Sequence, residues 1–199
     1  MGRLTGKNVL IIIPKDYYNE DELNIPLKKL REEDAHVLIA SAKLKVAVGE
    51  NGGHVTPDVL IVDAIEGITG DSYVSGTRGS RQVKAIFHGV IVAGGRGARS
   101  YLWKDKLVSI LLNDRFRSGF VVGAIGMGTG CLASSGLAES QEIAAPNDKR
   151  LLKNIEDGKG VLSDEGMTSY NRILSARDSA SAEKFTEAFI EEVAKTPFK

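Results

Sequence analysis

The chain has 199 residues, 42% of them hydrophobic, which suits a single packed domain. Its 26 basic and 26 acidic side chains cancel, so no net field draws it to nucleic acid or to an anionic membrane. The lone cysteine, Cys131, excludes an internal disulfide framework and a cysteine-rich metal site, and the first apolar run, Val9 to Ile13, is too short for a signal-peptide core or a membrane span. A protein of the cytoplasm is expected.

Val9 to Ile13 is a continuous leucine and β-branched run, the pattern of a strand covered on both faces, and it stops at Pro14. Asn19 then precedes EDELNIPLKKLREED, where Leu23, Leu27 and Leu30 share one helical face and acids crowd the first turn, which predicts a helix over about 20–34. HVLIAS, 36–41, is a second strand. Residues 42–65 alternate short β-prone pieces with glycine and proline and predict small strands at a sheet edge before VLIVDAI. Residues 66–87, rich in Gly, Ser and Arg, read as a long loop or hairpin. GVIVAGG, 89–95, is a buried strand running into glycines; KDKLVSILLNDRFRSG is a helix ending near Gly119; FVVGAIG is the next strand. A helix over roughly 128–137, a strand in NRILSAR (171–177) and a last helix over about 180–195 complete the pattern. Strands and helices alternating throughout predict an α/β three-layer sandwich with a mostly parallel central sheet.

Three segments in this order carry a resemblance: the acidic helix start NEDELNIP, the strand end VIVAGGRG, and the corner AIGMGTGCLASSGLAES. With the late passage LSARDSASAEKF, they make the chain resemble the ThiJ/PfpI superfamily, relatives of the class I glutamine amidotransferase fold, from about residue 7 to 194. The resemblance implies a flavodoxin-like single domain over 1–199, with 66–87 as a divergent insertion. It also implies homodimers or higher homo-oligomers, a small-molecule partner and no cofactor or metal.

In that family the corner after the strand carries a nucleophilic cysteine, often followed by histidine, and an early glutamate hydrogen-bonds the sulfur. By the motif, Glu22 matches the glutamate, while Gly126 and Met127 stand at the positions of the cysteine and the histidine. A side chain displayed at such a corner needs a strained backbone and small neighbours, a demand that Ala124 and Gly128 still meet, and glycine occupies the strained region with little penalty. The family's oxyanion donors map to about Gly95 and Met127, and Gly94, Gly95, Arg96, Met127 and Gly128 together form the expected anion-binding shell. Arg99, and Arg78 and Arg81 from the insertion, are further candidates for the rim; arginines in loops are otherwise simply solvated.

No other residue replaces the nucleophile by pattern. Cys131, five positions on, reads as core packing, since free cysteine is among the most buried residue types. Thr129 has no evident base. His36 enters a strand expected to be buried, His54 sits in an irregular region, and His88 precedes a strand whose opposite end should carry the site. Ala145 stands where some relatives have a histidine. Glu22 reads either as a pocket carboxylate or as one more acid at a helix N-terminus, beside Glu20 and Asp21, which are expected to be solvated. Two classes of function follow. One is a binding protein without cysteine chemistry that holds a small anionic metabolite at the altered corner. The other is an intracellular hydrolase, protease or amidase, or a glyoxalase or deglycase-type enzyme, working through Glu22 and water or through Cys131.

Overall fold

In the computed structural model, which describes residues 2–68 and 85–198 together with the backbone of 73–76 and 79–82, the first apolar run forms β1 (Asn8–Ile12). It leads to α1 (Glu20–Glu32) and β2 (His36–Ser41). The short pair β3 (Ala47–Val48) and β4 (His54–Val55) precedes β5 (Val59–Leu60) and α2 (Ile61–Glu66), and within the 66–87 segment β6 (Tyr73–Gly76) and β7 (Gly79–Gln82) form an antiparallel hairpin. Next come β8 (Phe87–Val92), α3 (Arg96–Tyr101), α4 (Lys106–Arg117) and β9 (Val121–Ile125), followed by a 3-10 turn at Gly126–Thr129 and α5 (Gly130–Ser134). The chain ends through β10 (Glu142–Ile143), α6 (Lys149–Asp157), β11 (Val161–Leu162), β12 (Met167–Tyr170), β13 (Ile173–Ala176) and α7 (Ala182–Lys195).

The main sheet has seven strands in the order β12-β13-β9-β8-β1-β2-β5, parallel except for β12, which pairs antiparallel with β13. Period-two alternation sorts the side chains of β1: Leu10 and Ile12 enter the core beneath α2 to α6, Val9 and Ile11 the core beneath α1 and α7. The sheet is therefore the middle of three layers. Strand β1 lies between β2 and β8, so the connections leave it in opposite directions. A crevice opens at such a switch point, outside the carboxyl ends of the strands, and the glycine-rich turns after β8 and β9 lie there.

Local chemistry sets the element ends. Asn19 caps α1 by accepting the amides of Asp21 and Glu22, both at 3.1 Å, which stabilises the helix by about 1 kcal/mol. One expectation is revised, the helix over 128–137, and two segments gain detail. VLIVDAI starts as the edge strand β5 but continues as α2, because only its first residues have a strand to pair with. The helix after β9 is shorter than 128–137, since its glycines take the tighter 3-10 turn before five α-helical residues. NRILSAR is the second arm of a hairpin whose first arm, β12, carries no apolar run. Its two-residue turn places Asn171 (φ 47°) and Arg172 (φ 65°) in the left-handed region that matches strand twist.

Candidate functional site

The capped first turn of α1 drives Glu22 inward to 5% exposure. Its Oε2 accepts the amide of Gly94 at 2.9 Å. Burial foremost pushes the carboxyl up to about 7; the Gly94 amide opposes this, and the nearby charges of Glu50, Asp178 and Asp21 reinforce it.

Opposite this carboxyl stands the tip of the corner. Gly126 follows β9 directly, is buried, and has φ +57°. A Cβ on Gly126 would overlap Glu22 Oε1 and come within 2.7 Å of Oε2, so the carboxylate occupies the space into which a side chain at 126 would project. Gly94 is equally confined, because a Cβ there would overlap Oε2 and approach the amide nitrogen of Met127 to 2.7 Å. The turn is held from behind. Thr129 Oγ1 donates to the carbonyl of Gly126 at 2.7 Å, and Trp103 Nε1 donates to the carbonyl of Met127 at the same distance.

Glu22, Gly95, Arg96, Gly126 and Met127 line one cleft of about 250 Å³. Arg99 joins them from α3, Glu50 from the loop after β3, Pro146 and Asp148 from the start of α6, and Arg177 and Asp178 from the end of β13. The three outer acids are already engaged. Glu50 accepts the amide of Arg96 at 2.6 Å, Asp148 those of Arg150 at 2.9 Å and Leu151 at 3.0 Å, and Asp178 that of Ser181 at 3.1 Å. Arg96 lies over the Tyr17 ring, 4.8 Å from its centroid, with Nε 3.9 Å from Glu50. Arg177 donates to the carbonyls of Asp164 and Glu165 at 2.5 and 3.0 Å.

This arrangement gathers Glu22, Gly126, Met127, Gly95 and Arg96 as expected and changes the anion shell. The Gly94 amide serves Glu22, and the first amides of α3 and α6 serve Glu50 and Asp148, so those donors are not open to an external anion. Gly128 is buried against Val92 beneath the cleft rather than on its wall. Glu20 is not simply solvated. It accepts the amides of Asn51 at 2.8 Å and Gly53 at 3.1 Å, and although burial acts to raise its pKa, these bonds hold it below the usual value. It thereby ties down the loop that presents Glu50. His36 is exposed rather than buried, at the first position of β2 opposite Asn8 at the sheet's end, with Nδ1 3.3 Å from Asn8 Oδ1. His88 accepts the Asn8 amide at 3.1 Å at the end of the sheet away from the cleft, and burial lowers its pKa; His54 is exposed in β4. Cys131 is 2% exposed among the core residues under α4 and α6, burial pushes its thiol far up, and it does not line the cleft. Arg78 lies outside the described residues, and Arg81 is placed only as backbone in β7.

Sequence reasoning missed Glu50, Trp103 and Asp148. No motif marks Glu50, and the hydrogen bond from Trp103 to the Met127 carbonyl has no periodic signature. Arg177 and Asp178 sit inside LSARDSASAEKF, where that segment's likeness to the family offered a signal.

Comparison with known proteins defines the class. Residues 7–192 match the DJ-1/PfpI family, and the chain belongs to it. An uncharacterized protein from Methanocaldococcus jannaschii is 22% identical over 180 residues, spanning 90% of this chain and 78% of its own length. Among solved structures, a ThiJ/PfpI domain protein from Brachyspira murdochii superposes with a TM-score of 0.80 at 19% identity, covering 98% of this chain and 99% of that one. Drosophila melanogaster DJ-1beta gives 0.74 at 19% identity, with 98% and 92% covered. At these identities the structural likeness establishes the fold, a flavodoxin-like α/β sandwich. Among the described residues no helix is long and apolar enough to cross a membrane.

Proposed function

We propose that the chain binds a small anionic metabolite in the cleft at the β9 corner, without a cysteine nucleophile. One observation carries this reading: the Glu22 carboxyl fills the space over Gly126, and the sole cysteine of the sequence is buried elsewhere. A carboxyl with a pKa of about 7 is neutral on the acid side of that value, where it offers an O–H donor instead of a repelling charge. Arg96 and Arg99 then supply the attraction at the rim.

Calorimetric titration with small carboxylates and inorganic phosphate tests it. Affinity should fall as pH rises through 7, because ionised Glu22 repels the anion, and Glu22→Gln should flatten that dependence. Arg99→Ala should weaken binding at every pH. Absence of binding to every anion across the pH range would refute the reading.

The same pKa favours a second reading, in which Glu22 is the general base for a water-dependent hydrolase or glyoxalase-type reaction, since proton transfer at neutral pH is served best by a group titrating there. Turnover of peptide or methylglyoxal that Glu22→Gln abolishes and Cys131→Ala leaves intact would establish it.

A further inference from the structure

A second hollow, of about 360 Å³, adjoins the cleft on the side of α3. Arg96 and Arg99 line both, and residues three apart on a helix face the same way, so the two spaces meet at these guanidinium groups. Their linings differ in charge. Four carboxyl groups, Glu22, Glu50, Asp148 and Asp178, line the inner cleft, where Arg177 is committed to main-chain carbonyls. Tyr17, Ser100 and Tyr101 line the outer hollow with hydroxyl groups, and no carboxylate lines it among the described residues. Lys15 adds a further cation there, with Nζ 4.4 Å from the centroid of the Tyr101 ring. Its neighbour Asp16 is already paired with Lys45 at 3.0 Å, and Arg99 has no ion-pair partner among the described residues.

The backbone of Tyr17 is an independent observation at the same place. Its φ of 61° lies in the left-handed region, which a bulky aromatic residue rarely adopts and where asparagine would sit with less strain. Both of its peptide groups are pinned: the Tyr17 amide donates to the carbonyl of Val48 at 2.6 Å, and its carbonyl accepts the amide of Gly97 at 3.0 Å. The ring is 45% exposed, so core packing does not account for the strain. It lies instead beneath the guanidinium of Arg96, 4.8 Å from ring centroid to Cζ, and sets that cation at the junction of the two spaces.

The geometry points to a phosphate monoester of a small polyhydroxyl compound as the ligand, with its phosphate in the outer hollow and its hydroxyl groups in the inner cleft. This rests on the reading that the cleft binds an anion, and it specifies where the charge lies and what the rest of the molecule is. A phosphate offers only acceptors when ionised and suits a space lined by guanidinium, ammonium and hydroxyl donors. Hydroxyl groups bring donors and suit carboxylates. Asp148 and Asp178 accept their hydrogen bonds through Oδ1 alone, so Oδ2 of each is left to take a hydroxyl. An anion without hydroxyls would meet the same outer cations and leave those inner acceptors unmatched.

Calorimetric titration with inorganic phosphate and with glycerol phosphate, at one pH, provides the test. Glycerol phosphate should bind at least about tenfold tighter, because its hydroxyls add hydrogen bonds to charged acceptors. Ser100→Glu sets a carboxylate in the outer hollow at an exposed position and should weaken glycerol phosphate at least about tenfold, whereas Ser100→Gln, equal in size and uncharged, should bind nearly as wild type does. Lys15→Ala should weaken binding in the same direction, which keeps the test valid if the Ser100→Glu variant misfolds. Tyr17→Asn should melt no lower than wild type, since asparagine accepts the left-handed region, yet bind glycerol phosphate more weakly; Tyr17→Phe keeps the ring under Arg96 and should bind as wild type does. Absence of binding by every anion, inorganic phosphate included, overturns the anion reading and this inference together. Anions that bind while glycerol phosphate gains nothing over inorganic phosphate overturn this inference alone. So does glycerol phosphate binding that Ser100→Glu, Lys15→Ala and Tyr17→Asn all leave intact.

Discussion

Replacing Glu22 by glutamine should make the protein more stable, and only at neutral and alkaline pH. Below about pH 4.5 the carboxyl is protonated in the folded and the unfolded chain alike, so the substitution changes little. Between 4.5 and about 7 the unfolded chain releases the proton while the folded chain keeps it, so the stability that this proton linkage contributes is lost as pH rises through that window. The rise from 4.5 to about 7 corresponds to about 3 kcal/mol, with the full cost standing above pH 7. Glutamine retains an acceptor for the Gly94 amide and cannot ionise. The variant should therefore gain about 3 kcal/mol over wild type at pH 8, or about 6–12 °C in Tm for a chain of this size, and roughly nothing at pH 4. Urea denaturation at a series of pH values measures this, followed through Trp103, the sole tryptophan and a hydrogen-bond partner of the corner itself. A stability difference that does not vary with pH, or a Glu22 resonance titrating near 4.5, would refute the burial argument.

Gly126→Ala should cost about 2 kcal/mol in denaturant melts, from a Cβ in the left-handed region and its overlap with Glu22 Oε1, and should abolish ligand binding. An alanine variant as stable as wild type would show that the carboxylate does not rest over the tip. Cys131 should resist a thiol-specific reagent in the native protein at pH 8 and react stoichiometrically once unfolded, because burial holds its thiol protonated. Rapid native labelling would move the sulfur to the surface and reopen cysteine chemistry.

The frame of this molecule was legible because its strands are doubly covered. The runs Val9 to Ile13 and Val90 to Ala93 have no polar face, and only a parallel sheet between helices buries both sides. The elements without a sequence signal lack that cover: β12 is four residues, none of them buried, in which each apolar side chain alternates with a hydroxyl, and α2 lies inside an apolar string that reads equally well as strand. At the site, Glu22 and Gly126 could be placed through motif spacing, whereas Glu50 and Asp148 reach the cleft by loop closure from distant segments. What spacing could not reveal was competition. The helix-end amides look like open anion receptors in sequence, and only their geometry shows that the chain's own carboxylates fill them.

The carboxylate resting on the corner has an evolutionary consequence. A single base change converts some glycine codons into cysteine codons, so a thiol at position 126 lies close in mutational terms. Such a mutant would set its Cβ against Glu22 Oε1, the far end of a side chain that can turn, so the carboxyl has to shift before a thiol is seated at the tip. The residue at 126 and the rotamer of Glu22 are thus linked: sulfur gained at the corner requires a matching turn of the carboxyl away from it.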